Sequence, residues 1–265
     1  MAIPRHTLPF AAREGIQRCT ICGSPVRLVF RDGKYADHYE PIDTIFMSEL
    51  QGVDEATAAR LRTQRAGKRV VALVGMAPSS CSLAPYDEPG VEVWALNEMH
   101  TFSWMKRATR WFQMHKSSSY MRPMAKRGQK GHWEWLQKKR DIPIYMLWTD
   151  ARIPDSVEYP LDEVVGRFFK NLYKGEARVK YFTSTLSYMI ALALLEGFER
   201  IELYGFEMAA TDEFAPQKSC AEFWLGLAMG LGVEIYLPPS CELLWGPLYG
   251  YQGGGPANLE GVEYD

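Results

Sequence analysis

Small and polar residues follow one apolar run after another in this 265-residue chain, and their types suit a phosphate, a sugar hydroxyl or a proton in transit. The run Val70–Val74 leads into Gly75-Met76-Ala77-Pro78-Ser79-Ser80. Side chains this short let a ligand approach the backbone N–H groups, which gather anions when a tight turn points them one way. The loop is not GxGxxG, because Met76 and Ala77 follow the glycine, and no lysine stands where GxxxxGK[ST] needs one. Asn97 follows VEVWAL; Gln113 and His115 lie in WFQMHK; Thr183, Ser184 and Thr185 open the apolar run of YFTSTLS; Gly205 and Glu207 follow IELY. Serine and threonine before a helix suit the N-cap, and a helix start attracts anions. Three side chains are candidate general bases: His115 first by placement, then Glu207 and Glu222. A base must come within about 2.6–3.2 Å of the proton it takes, or act through one water.

Strands must present these residues. Their candidates are residues 69–74, 91–96, 109–114, 142–147, 201–205 and 233–238, with helices at 184–196 and 218–230 between them. The first helix is apolar on nearly all sides, as a helix buried on a sheet face would be. Strands alternating with helices predict an α/β fold with a Rossmann-like parallel sheet, which binds ligands beyond the carboxyl ends of its strands. The expected domains are a small N-terminal β module at 1–50, a linker helix at 51–67, the nucleotide-binding domain at 68–246 and a loose glycine-rich tail at 247–265.

The N-terminal module holds CTICG, in which Cys19 and Cys22 have the spacing of a zinc knuckle. His38 and His6 are the candidates to complete the set, with Asp37 a further one; the alternative is a pair of reduced structural cysteines. Cys81, Cys220 and Cys241 read as small buried apolar residues. The five cysteines, an odd number, argue against a disulfide framework. Hydrophobic residues make up 47% and charged residues 23%, which suits one main core. No apolar run approaches the ~18 residues of a membrane span, and the opening MAIPRHTLPFAAREG has no signal-peptide core. A cytoplasmic protein with no membrane partner is the expectation.

Net charge is −2, yet residues 101–140 hold eleven Lys/Arg against Glu134 alone. Trp104, Trp111, Tyr120, Trp133 and Trp135 are interleaved with them. Basic residues can neutralise phosphates and aromatic rings can stack on bases, which makes Arg110, Lys116, Arg122, Lys126, Arg127 and Lys130 candidates for contact with DNA. Two other readings stay open: a solvated face over core tryptophans, and charges that hold a donor's phosphates.

The order VVALVGMAPSS, VWALNEMH, YFTSTLSYMIALALLEGFERIELYGFEM resembles the fold shared by bacterial CMP-sialic-acid-dependent sialyltransferases, motility accessory factor proteins and archaeal-type hydroxymethyldihydropterin diphosphokinases. The resemblance covers about residues 68–240. It implies that Gly75 to Ser80 lie against a nucleotide and that Asn97 bonds its phosphate or sugar. It also implies that Gln113 stands where those sialyltransferases carry an asparagine, that Ser184 bonds the base or donor, and that Glu207 closes the last motif. Ala77 replaces the preferred glycine, and QKSCAEFW puts Ser219 or its neighbour, and no histidine, where the sialyltransferases carry a histidine base. The implied activity is a glycosyltransferase using a CMP- or UDP-linked donor without required magnesium. With the basic segment, a phage-encoded enzyme modifying hydroxymethylated bases in DNA is the extended expectation. The rivals are an ATP-dependent diphosphotransferase of the pterin type, using Mg²⁺ with Asp87, Glu98, Glu207 and Asp212, and a non-catalytic nucleotide- or nucleic-acid-binding protein.

Overall fold

The computed structural model describes residues 55–121, 131–208 and 215–244, preceded by the backbone of four short strands. These are β1 (Ile16–Arg18), β2 (Pro25–Arg27), β3 (Val29–Arg31) and β4 (Lys34–Ala36), paired antiparallel as β1–β2 and β3–β4. Cys19, Cys22, His6 and His38 of the zinc expectation lie outside the described residues, as do Arg122, Lys126, Arg127, Lys130, Asp212 and the tail.

Helix α1 (Glu55–Arg65) leads into the main sheet. Strands β5 (Val70–Val74), β6 (Val91–Leu96), β7 (Arg110–Gln113), β8 (Ile144–Met146) and β9 (Ser156–Glu158) run outward in that order. Short helices α2 (Ser117–Tyr120) and α3 (His132–Leu136) lie between β7 and β8. Beyond β9 come α4 (Leu161–Phe168) and a small hairpin, β10 (Tyr173–Lys174) with β11 (Ala177–Arg178). Helix α5 (Thr185–Leu195) then returns the chain to the other side of β5, where β12 (Arg200–Tyr204) pairs with it; α6 (Ala215–Gly230) leads to the edge strand β13 (Glu234–Tyr236). The seven strands lie in the order β13-β12-β5-β6-β7-β8-β9, all parallel. The direction of travel reverses between β5 and β12, so the ligand crevice of such a sheet opens at their carboxyl ends.

The interior strands are continuous apolar runs because helices cover both faces of a parallel sheet. Every residue of β5 is buried, and α5 buries Leu186, Met189, Ile190, Ala191, Leu192, Ala193 and Leu194 against β5 and α6. Strand β9 was not foreseen: Ser156-Val157-Glu158 is an edge strand with an exposed face and lacks the apolar signal.

One polar ridge runs through this core. Arg200, Glu202 and Tyr204 alternate onto one face of β12, and Arg65 of α1 closes over them. Glu202, with 0% exposure, accepts bonds from Arg65 Nη2 (2.7 Å), Arg200 Nε (2.6 Å) and the Tyr204 hydroxyl (2.8 Å). A buried charge persists only where its partners replace water in this way. The ridge therefore fixes α1 to the sheet. Among the described residues no helix is long and apolar enough to cross a membrane.

Candidate active site

The loop after β5 is clamped to the end of β12. Gly75 N–H donates to Tyr204 O (2.7 Å), Ala77 N–H to Gly205 O (2.9 Å), and Gly205 N–H to Ser80 Oγ (2.9 Å). Gly75 is required here by packing: a Cβ would fall onto Gly205 O and within 2.8 Å of the Phe206 ring. Gly205 has φ +70°, and its own Cβ would strike the Gly75 backbone. The two glycines let two chain segments cross. Ser80, 2% exposed, is likewise occupied in holding Gly205. Ala77 O accepts from Ser80 N–H and Cys81 N–H, which turns the chain into the 3₁₀ turn Cys81–Leu83. Burial pushes the Cys81 thiol up to about 12, with the charge of nearby Glu207 a lesser cause, so Cys81 is inert and Glu207 sits close to this loop. Met208, next to Glu207, has φ +48°.

Ser79 and Asn97 behave differently. The Ser79 hydroxyl and Asn97 Oδ1 are both buried without a hydrogen-bond partner. Asn97 is 9% exposed and its backbone is held on both sides: its N–H donates to Phe112 O, and its carbonyl accepts from Trp111 Nε1, each at 2.9 Å. These bonds keep it at φ +49°, a left-handed conformation in which asparagine is among the few tolerated side chains. Most buried polar atoms are paired, so an orphan calls for an explanation. The other two orphans among the described residues are Trp104 Nε1 and Arg140 Nε.

Thr183, Ser184 and Thr185 stand at the start of α5, with Ser184 at the N-cap position (φ −152°, ψ 161°). The expected capping bond is not made. Ser184 Oγ lies 3.2 Å from Ser187 Oγ instead, and Thr183 Oγ1 donates to Pro216 O (2.8 Å). Ser184 thus turns toward the α5–α6 interface, where Ser187 donates to Cys220, and the first turn of α5 has no side-chain cap. An uncapped helix start is open to an acceptor from a ligand.

Gln113 and His115 end β7. Gln113 is 1% exposed, and both of its amide atoms are engaged: Oε1 lies 2.9 Å from His132 Nε2, and Nε2 lies 3.4 Å from His115 Nδ1. His115 is exposed at the strand end. Glu222, the third candidate base, receives Leu244 N–H (2.9 Å), which supports a residue at φ +58°. Glu207 O accepts from Glu242 N–H (3.0 Å). Of the three candidates, His115 combines exposure with placement at a strand end. Among the described residues no group of three or more His, Cys, Asp or Glu side chains is arranged to hold a metal ion.

Of the described basic residues in the segment, Arg107, Arg110, Lys139 and Arg140 are partnered within the chain. Arg110 lies at the start of β7, the opposite end from His115, and its guanidinium bonds Glu92 (2.8 Å) and Glu196 (2.7 Å) while stacking over Trp94. Arg107 donates to the carbonyls of Pro85, Tyr86, Glu88 and Val91. Lys139 pairs with Asp155, and Arg140 lies over Trp135. Trp104, Trp111 and Tyr120 are buried, and Trp133 and Trp135 pack on the core. The expectation of stacking platforms is therefore corrected: these rings fill or pack on the interior, while Glu92 and Glu196 pair with Arg110 and backbone carbonyls hold Arg107 and Arg140. Lys116, exposed before α2, remains at the surface.

No family model matches the sequence, and no curated protein matches it. Among solved structures, the chain is similar to the sialyltransferase CstII from Campylobacter jejuni in complex with CMP-3FNeuAc, at 18% identity over 66% of this chain and 81% of that chain, with a TM-score of 0.41. It is also similar to the alpha-2,3-sialyltransferase from Campylobacter jejuni in apo form, at 18% identity over 65% of this chain and 76% of that chain, with a TM-score of 0.42. At these values the likeness decides neither donor nor acceptor.

Proposed function

We propose that this protein binds a nucleotide at the carboxyl ends of β5 and β6 and transfers a sugar from a nucleotide-activated donor to a hydroxyl. The observation that carries this reading is the pair of buried, unpartnered oxygens, Ser79 Oγ and Asn97 Oδ1, at adjacent strand ends. Ser79 Oγ is suited to donate to a phosphate oxygen, and Asn97 Oδ1 to accept from a ribose hydroxyl. The uncapped start of α5 adds N–H groups suited to negative charge. The order of motifs described above supports a CMP- or UDP-linked donor.

His115 is the base. The acceptor's O–H proton passes to a ring nitrogen of His115, and the acceptor oxygen bonds the anomeric carbon. The bond from that carbon to the phosphate oxygen breaks, and its electron pair leaves with the nucleotide. Such a single displacement depends on positioning the two reactants and removing one proton. The pairing of Arg107, Arg110 and Lys139 with groups of this chain favours a small-molecule or glycan hydroxyl over DNA as acceptor.

The reading is tested by incubating the protein with CMP- and UDP-linked sugars and a panel of hydroxyl acceptors, and following nucleotide release. Release that His115→Ala abolishes is the expected result. Nucleotide binding without release from any donor would leave a binding protein; release from ATP that is strictly dependent on magnesium would favour the diphosphotransferase.

A further inference from the structure

Three histidines separated in sequence form one hydrogen-bonded chain with Gln113. His100 Nε2 lies 2.9 Å from His132 Nδ1; His132 Nε2 lies 2.9 Å from Gln113 Oε1; Gln113 Nε2 lies 3.4 Å from His115 Nδ1. His132, with 0% exposure, opens α3 directly after Gly131, whose φ of +82° turns the chain there. His100 is stacked on Trp135 at 4.4 Å, with ring planes 7° apart. The middle of the chain, His132, is thus locked in the interior, His100 is half-buried against Trp135, and the other end, His115, is exposed at the carboxyl end of β7.

We propose that Gln113, His132 and His100 are positioning residues that determine which nitrogen of His115 carries hydrogen. The argument needs only the valence of an amide. Gln113 has an oxygen that accepts and a nitrogen that donates. With Oε1 toward His132, His132 must carry hydrogen on Nε2, its Nδ1 accepts from His100 Nε2–H, and Gln113 donates to a bare His115 Nδ1. His115 then shows Nε2–H on the side away from Gln113. If the amide turns over, every bond reverses: His115 donates Nδ1–H to Gln113, and its Nε2 presents a lone pair outward. The rule is that His115, His132 and His100 are all Nε2–H or all Nδ1–H. Because an imidazole that takes a proton at Nε2 needs an acceptor for its Nδ1–H, the second order is the one in which His115 acts as a base.

His132 and His100 are neutral in both orders. On reversal the His100 Nε2 hydrogen passes along its bond to His132 Nδ1. His132 and His115 each give up their Nε2 hydrogen to water, and His100 and His115 each take one from water at Nδ1, so the net charge does not change. Burial lowers His132 to about 3, helped by the charges of His100 and His115. Burial also lowers His100 to about 4, with the Arg140 charge adding to it. Turning the amide breaks one 2.9 Å bond and the longer 3.4 Å bond to His115.

The role in transfer rests on the reading of His115 as base, but the coupling itself is measured without any donor. Nitrogen-15 NMR of histidine-labelled protein at neutral pH reports the tautomer of each ring. In the wild type, His115 and His132 are expected to share one tautomer; opposite tautomers on the two rings would overturn the proposal. His132→Leu leaves Gln113 Oε1 without a donor, and His115 should lose its single tautomer and show both. His132→Gln returns an N–H to Gln113 and should restore a single form. Should His132→Leu fail to fold, His100→Phe keeps the stack on Trp135 and removes the last link, and His115 should again show both forms. An unchanged His115 tautomer across the folded variants would overturn the proposal. Intact coupling with no release from any sugar nucleotide would defeat the transferase reading and leave the coupling standing.

Discussion

Glu202 and Asn97 are both polar residues buried in one sheet, and the fold treats them in opposite ways. Glu202 lies beneath α1 with bonds from Arg65, Arg200 and Tyr204. Asn97, at the end of β6, has its backbone fixed on both sides and its side-chain oxygen without a partner. A polar group whose bonding is complete inside the protein contributes to fold specificity and stability. One whose bonding is incomplete, on a backbone held at positive φ, costs stability that a ligand can return. The difference teaches where to look for function: at the buried groups the protein leaves unsatisfied.

The largest expected effect is on transfer. His115→Ala should reduce nucleotide release about a thousandfold, within the range for general base catalysis, while leaving the melting temperature unchanged. An equal loss from Glu222→Gln would show that the wrong base is named. The largest effect on stability lies in the other region. Glu202→Leu removes the one fully buried carboxylate of the ridge, leaves Arg65 and Arg200 only their outer partners Glu88 and Glu234, and should cost about 3 kcal/mol in denaturant unfolding. Nucleotide affinity of the folded fraction should be unchanged, because Glu202 lies in the middle of β12 and makes no bond to the loops at its carboxyl end.

Gly205→Ala joins the two regions. Its added methyl meets the Gly75 backbone at φ +70°, so it should lower stability and disturb the loop that carries Ser79, weakening nucleotide binding as well. A folded Gly205→Ala variant with normal affinity would separate the crossing from the site.

A smaller, pH-dependent effect follows from the buried histidines. Both have folded-state values below the ordinary 6.5, near 3 for His132 and 4 for His100. Their contribution to stability is therefore complete above pH 6.5. It is lost as pH falls below that value toward 4, because the unfolded chain takes up protons that the folded chain refuses. The slope should be about 1 kcal/mol per pH unit from His132, with less from the partly exposed His100. Urea titrations at several pH values check this, and His132→Leu should flatten the curve.

Much of the sheet was legible because its interior strands are apolar runs ending in glycine, asparagine or glutamine, and α5 declared its burial by being apolar on nearly all sides. The edge strand β9 and α4 were missed, since one is half exposed and the other short. The site was legible in position more than in role. The types of Gly75, Gly205 and Ser80 allow close approach, but that the chain itself makes one such approach here is a tertiary fact no single residue type shows. Part of the charge of residues 101–140 has partners no local reading shows, because Glu92, Glu196 and Asp155, which pair with Arg110 and Lys139, come from other parts of the chain. The histidine chain was invisible for the same reason: His132 and Gln113 are 19 residues apart. Gln113 and His115 on one side of an extended strand end, with two further histidines nearby in sequence, were the available signal.

The central claim is that Ser79 Oγ and Asn97 Oδ1 are left unpaired for a nucleotide. Calorimetric titration of CMP and UDP into the wild type, Ser79→Ala and Asn97→Gly, with melting temperatures taken alongside, tests it most directly. The account predicts that the wild type binds one of the two, and that each variant loses about tenfold or more in affinity, as expected when a bond worth about 1.5–3 kcal/mol is removed. Neither variant should melt lower than the wild type: Ser79→Ala removes an unsatisfied hydroxyl, and Asn97→Gly removes an unsatisfied oxygen and relaxes the positive φ. Unchanged affinity in both variants, or no nucleotide bound by the wild type, would contradict it.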